Sequence, residues 1–142
     1  MKKFFCLAAW VLLISCNKES PQDWGGMEYF TFKISGVVTD NTGFPLGGIC
    51  VSSFGSEIYT DSEGAYLLEG RGSGDTSVFV NYTDTDGVEN GGRYMASSRR
   101  VTLEYKKGTR HGPYMGLFTA TDIDVTLVAG LTPSINPDTP LQ

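Results

Sequence analysis

Four carboxylate or carboxamide side chains crowd one short run, Asp84-Thr85-Asp86-Gly87-Val88-Glu89-Asn90. Asp84, Asp86, Glu89 and Asn90 supply hard oxygens, and Gly87 lets the chain turn sharply between them. Calcium is the cation that chemistry suits, since it takes about six to eight oxygen ligands. The spacing departs from the EF-hand loop, where glycine stands sixth and a bidentate glutamate twelfth; here Gly87 stands fourth. The competing reading is a loop whose Asp and Asn side chains accept hydrogen bonds from their own backbone. Both readings stay open on spacing alone.

Other chemistry has little material. His111 sits in Thr109-Arg110-His111-Gly112-Pro113 and is read as a solvated turn residue. Ser73 lies in Gly72-Ser73-Gly74 with no helix pattern after it, so a nucleophile elbow is not expected. Neither a His-Glu-x-x-His pair nor a phosphate-binding Gly-Lys-Ser/Thr loop occurs. Cys50, in Gly48-Ile49-Cys50-Val51, is read as a small buried hydrophobe. Trp24, Tyr29, Phe44, Phe54, Tyr94, Tyr105, Tyr114 and Phe118 raise the idea of a glycan platform, but most are expected in the core or over sheet edges.

The elements that carry these residues read as strands. Phe30, Phe32, Ile34, Gly36 and Val38 alternate with Thr31, Lys33 and Ser35, the period of a half-buried strand. Asp40-Asn41-Thr42-Gly43 and Asp61-Ser62-Glu63-Gly64 are turn chemistry. Further strands are expected at 49–53, 57–60, 65–69, 77–82, 100–105, 114–119 and 122–128. A Gly-rich loop is expected at 70–75, an acidic loop at 83–92 and a turn or loop at 106–113. Arg99-Arg100 and Lys106-Lys107 are expected to be solvated. Apolar residues nowhere hold a helical period for three turns. About seven short strands with regular turns point to an all-β sandwich.

The N-terminus carries an address. Met1-Lys2-Lys3 is basic, Phe4 to Ile14 is uncharged, and Ser15-Cys16 follows, the three parts of a signal peptide. The apolar core is short for a membrane span. Leu13-Ile14-Ser15-Cys16 resembles the bacterial lipobox, which implies diacylglycerol on the Cys16 sulfur, cleavage before it and acylation of the new amino group. Several acyl chains at about 0.8 kcal/mol per buried methylene anchor a domain stably. Removing the signal takes Lys2 and Lys3 from the 11 basic residues and none of the 16 acidic ones, so the mature chain carries −7. Such a domain is not expected to bind nucleic acid. Cys6 leaves with the signal and Cys16 is consumed by lipid, so Cys50 has no disulfide partner in its own chain. Asn17 rather than Asp follows Cys16, so the anchor is expected in the outer membrane, on either face.

Two resemblances extend this reading. Ile34-Ser35-Gly36-Val37-Val38-Thr39-Asp40-Asn41-Thr42-Gly43-Phe44-Pro45-Leu46-Gly47-Gly48-Ile49-Cys50-Val51 and Tyr59-Thr60-Asp61-Ser62-Glu63-Gly64-Ala65-Tyr66-Leu67-Leu68 resemble the two halves of carboxypeptidase regulatory-like domains. That implies a transthyretin-like (prealbumin-like) β-sandwich, in which Gly43 and Gly64 close turns and Asp61 accepts hydrogen bonds from its own turn. The lipobox, Thr31-Phe32-Lys33-Ile34-Ser35-Gly36, Asp84-Thr85-Asp86-Gly87-Val88-Glu89-Asn90-Gly91-Gly92 and Asp122-Ile123-Asp124-Val125-Thr126-Leu127 together resemble the radical-SAM-associated lipoproteins of Gram-negative bacteria. The resemblance implies a link to a radical S-adenosylmethionine (SAM) enzyme, not that activity. Such enzymes need three thiolates for their cluster, and the mature body has Cys50 alone.

The expected organisation is a signal peptide over 1–15, a lipid-anchored tether over 16–28, a sandwich over 29–129 and a flexible tail over 130–142. The expected role is a non-enzymatic, cofactor-free binding or accessory module of the cell envelope. It would be joined to the membrane by lipid, with an envelope protein as partner and a link to a radical SAM system. The alternatives are a substrate modified by that enzyme, and a calcium- or glycan-binding surface module.

Overall fold

The structure, a computed structural model, describes residues 26–89 and 92–130. The signal peptide, Cys16, most of the tether, Asn90 and the tail beyond Gly130 lie outside the described residues. Nine strands run in order: β1 (Tyr29–Asp40), β2 (Ile49–Ser53), β3 (Ser56–Tyr59), β4 (Ala65–Ser73), β5 (Ser77–Asp84), β6 (Ser97–Thr102), β7 (Glu104–Lys107), β8 (Tyr114–Ala120) and β9 (Val125–Leu127). They form two sheets packed face to face, and the described residues contain no helix. One sheet has the order β4-β1-β8-β7, with β9 also on β1; the other is β3-β2-β5-β6.

The alternation in β1 does what its period dictates. Phe30, Phe32, Ile34 and Val38 are at most 1% exposed and meet Val51, Leu68, Val78, Val80, Tyr82 and Leu127 between the sheets. Each such side chain taken from water contributes about 1.5–3 kcal/mol. Phe118, on β8 beside Phe32, packs its ring 5.5 Å from Phe30.

Besides the run expected at 122–128, of which only Val125–Leu127 is strand, two expectations need correction. Residues 70–73 are not loop: β4 continues through Gly70, Arg71, Gly72 and Ser73, paired with Phe32, Thr31, Phe30 and Tyr29. Gly70 and Gly72 face inward. A Cβ on Gly70 would stand 2.8 Å from the Phe32 ring, and one on Gly72 2.6 Å from the Phe30 ring. The glycines leave room for β1's aromatics, so the strand carries no hydropathy signal where it is most closely packed. Second, residues 100–105 are not one strand. Val101 and Leu103 are both buried, but the chain changes sheets at Leu103: β6 pairs β5 and β7 pairs β8. Lys106 and Lys107 therefore lie on β7 rather than in a loop.

The two Asp-x-x-Gly turns are one device built twice. Asp40 Oδ1 accepts the Thr42 and Phe44 N–H groups, and Asp61 Oδ1 accepts those of Glu63 and Ala65, all at 2.8–2.9 Å. The fourth residue, Gly43 or Gly64, takes φ of +86° or +73° and donates back to the Asp carbonyl. The Thr42 hydroxyl holds the Asp40 carboxyl below its ordinary range, with help from the Phe44, Thr42 and Gly43 N–H groups. A lowered folded value means this turn stabilises the fold above the ordinary carboxylate range and is released as pH falls through the folded value.

The two parallel neighbours of β1 are separated by a bulge. Ile34 faces Ala120 on β8, whereas Val38 faces Val125 on β9, so one extra residue lies between 120 and 125. Asp122 absorbs it at φ +58°, a conformation Asp tolerates better than most residues. The result presses the Ile123 carbonyl oxygen onto Gly36, only 2.1 Å from where a Cβ would stand. Gly36→Ala is expected to cost roughly 3 kcal/mol and to lower the melting temperature by more than about 10 °C. Gly43→Ala, at positive φ in open space, is expected to cost about 1–2 kcal/mol. Urea unfolding of both variants checks the order; equal losses would refute the close approach at Gly36.

Candidate functional site

The acidic run occupies the end of β5 and the loop after it. Asp84 Oδ1 accepts the Asp86 N–H at 3.2 Å, and Oδ2 accepts the Tyr94 N–H at 2.9 Å. Burial raises the Asp84 carboxyl above its ordinary range. Asp84 and Asp86 are thus brought together, Glu89 is exposed, and Asn90 lies outside the described residues. Among the described residues no three His, Cys, Asp or Glu side chains converge on one point. The Asp84 carboxylate thus holds the β5–β6 connection at Tyr94, whose neighbour Met95 donates its N–H to the Val128 carbonyl.

The remaining singled-out residues are dispersed. His111 is exposed and exchanges backbone hydrogen bonds with Tyr114. Ser73 ends β4 opposite Tyr29. Cys50 is 9% exposed, with Sγ 3.8 Å from Glu57 Oε2. Burial, and then the Glu57 charge, pushes its thiol up, away from the reactive thiolate. Phe44 and Phe54 stand in separate turns, both about half exposed. The Phe54 ring closes one end of the sandwich against Phe30 and Phe32, at 6.1 and 6.0 Å.

Two constellations were not foreseen. The first is buried. The Tyr66 hydroxyl donates to the Ile123 carbonyl at 2.7 Å and meets the Tyr82 hydroxyl at 2.9 Å, joining β4 of one sheet to β5 of the other. Arg99 donates to the next carbonyl, Asp124, at 2.7 Å, and the Asp124 carboxylate accepts the Val37 N–H at 2.9 Å. Burial raises both tyrosines above their ordinary value near 10.

The second constellation lies on the outer face of the five-stranded sheet. Register places Arg71 (β4), Thr31 (β1), Leu117 (β8) and Lys107 (β7) in one row across four strands. At strand spacings of about 4.8 Å the two cations start roughly 14 Å apart. They flank a shallow groove of about 570 Å³. Tyr114 borders it, its hydroxyl 2.9 Å from that of Thr31 and its ring 5.3 Å from that of Tyr29. Lys33 and Glu69 also line it as an ion pair. Arg71 stands over the Tyr29 ring at 5.8 Å, and neither Arg71 nor Lys107 has a carboxylate in ion-pair range among the described residues. The groove thus bears two net positive charges on an acidic chain. No local pattern could reveal it, because its four members come from four separate strands.

No family model matches the chain, and no curated protein does either.

The tyrosine pair sets an alkaline limit. A proton held more tightly in the fold than in the unfolded chain gives stability that is complete below the ordinary tyrosine value and falls as pH rises above it. Tyr66→Phe is expected to cost about 1–3 kcal/mol at neutral pH, since the Ile123 carbonyl loses its buried donor. It should also flatten the loss of stability above about pH 10. Urea midpoints measured from pH 7 to 11 check this; parallel curves for the two proteins would count against the pair.

Proposed function

We propose that this chain is a lipid-anchored lipoprotein of the bacterial cell envelope whose β-sandwich, of transthyretin-like type, serves as a binding or accessory module and not as an enzyme. The observation that carries the binding role is the row Arg71–Thr31–Leu117–Lys107 with its groove. Its lining offers charge, hydroxyls and an apolar floor, the means of holding a ligand. Among the described residues its lining includes no His, Cys or Ser.

The anchor reading rests on Leu13-Ile14-Ser15-Cys16 at the end of an uncharged stretch, thirteen residues ahead of Tyr29. Such a segment spans at most roughly 45 Å, enough to hold the sandwich clear of the lipid headgroups. The motif resemblance supports a functional link to a neighbouring radical SAM enzyme system. The two Asp-x-x-Gly turns support the carboxypeptidase regulatory-like type, because they give a structural reason for both halves of that motif.

Labelled palmitate is expected to enter the wild-type chain, and Cys16→Ser is expected to abolish labelling and move the protein from the membrane to the soluble fraction. Unlabelled protein, or a Cys16→Ser chain that stays membrane-bound, would refute the anchor. The intact mass of the mature protein is expected to equal chain plus lipid; further mass on the polypeptide would instead identify it as a substrate of the radical enzyme.

A further inference from the structure

The geometry points to the outer-face groove as a site for an acidic sugar: a hexose-sized ring bearing one oxyanion, carboxylate or phosphate. This deepens the binding role proposed above and rests on it.

Charge comes first. Arg71 and Lys107 are exposed cations without acidic partners among the described residues, on opposite edges of the groove. Their long side chains can close on one anion over the low floor made by Thr31 and Leu117. An Arg fork holds carboxylate and phosphate alike in bidentate fashion, and Lys adds a point charge. The chain around them is acidic, with 16 acidic against 11 basic residues, so the groove is a local exception to the field of the molecule. That field disfavours a long polyanion and tolerates a small ligand carrying one charged group.

The rest of the lining decides what carries the anion. Glu69 lies in the groove as an acceptor, and the Tyr114–Thr31 hydroxyl pair can both donate and accept. A bare phosphate or carboxylate has no use for the acceptors and is repelled by Glu69. A sugar's hydroxyls can donate to them, and the C–H face of its ring can lie on Leu117. The volume of about 570 Å³ falls within the ordinary range for small-molecule sites and exceeds what a single ion needs.

The test titrates the full-length protein in detergent micelles with glucuronate, glucose 6-phosphate, glucose and inorganic phosphate, followed by calorimetry at low and at physiological salt. Glucuronate or glucose 6-phosphate, or both, is expected to bind at least tenfold more tightly than glucose and inorganic phosphate, and more weakly at higher salt. The better of the two identifies whether carboxylate or phosphate is the natural anion. Arg71→Gln and Lys107→Gln should each weaken that binding about tenfold with unchanged melting temperature. Glu69→Gln should narrow the preference for sugar-borne anion over inorganic phosphate. Inorganic phosphate binding as well as the sugars, glucose binding as well as its acidic counterparts, or no saturable heat from any of the four overturns the inference. So does binding indifferent to Arg71→Gln and Lys107→Gln. A chain that gives none of these heats but loses a crosslinked envelope protein on Arg71→Gln would sink the sugar ligand while leaving the module a binder.

Discussion

The fold depends on a close approach of backbone to backbone at Gly36. There the chain between β8 and β9 takes one extra residue, dips inward, and sets the Ile123 carbonyl where any side chain on β1 would be. A carbonyl pushed into an apolar interior costs free energy unless a donor meets it. Tyr66 is that donor. It stands opposite Gly36 on β4 and is joined through its hydroxyl to Tyr82 on the facing sheet. One bulge thus forces a glycine on one strand and a tyrosine on its neighbour, and ties the two sheets together. Among the described residues no buried side-chain polar atom is left without a partner.

The same constraint gives β1 its place. Of its twelve residues, Tyr29 to Val37 pair with β4 along one edge, and the strand pairs with β8 and then β9 along the other. A single strand could not run straight beside all of β1 while Ile123 turned inward, so the partner edge is divided in two. Division frees each piece to be short. It also fixes the register of β8 against β1, because Ile34 must face Ala120 for the bulge to reach Gly36. That register in turn sets Leu117 beside Thr31 on the outer face. The interior therefore determines which side chains line the groove.

These links explain what could be read from the sequence. Period-two alternation in β1 and β5 is a local property, and it identified both strands and their inward residues; of the run 122–128 only Val125–Leu127 is strand, because Asp122 at φ +58° interrupts the extended backbone. The Asp-x-x-Gly turns were legible for the same reason: every hydrogen bond in them lies within five residues. The second half of β4 was not, since Gly70 and Gly72 make room for Phe32 and Phe30, and a missing side chain leaves no hydropathy to count. The break at Leu103 was hidden because the alternation continues across it, Val101 and Leu103 being buried on either side of a corner. The basic row was out of reach altogether. Arg71, Thr31, Leu117 and Lys107 meet only through three strand pairings, one of them parallel. Lys107, read locally, is simply a solvated lysine.

Charge placement on the finished sheet follows from this topology in a way composition cannot express. Of the lysines and arginines placed in strands, Lys33 is answered by Glu69 and Arg100 by Asp75. Both are exposed ion pairs, worth at most about 1 kcal/mol. Arg99 is committed to the Asp124 carbonyl beside the buried tyrosines. Lys106, Lys107 and Arg71, the last standing over the Tyr29 ring, have no ion-pair partner among the described residues. An exposed pair like Lys33–Glu69 is held cheaply and broken cheaply, so it can exchange partners with a ligand's hydroxyls at little cost. Arg71 and Lys107, without a carboxylate partner among the described residues and beside an ion pair that yields easily, are a poor arrangement for stability. On the flat outer face of a rigid sheet they are a good one for recognition, because the strands fix the separation of the charges before any ligand arrives.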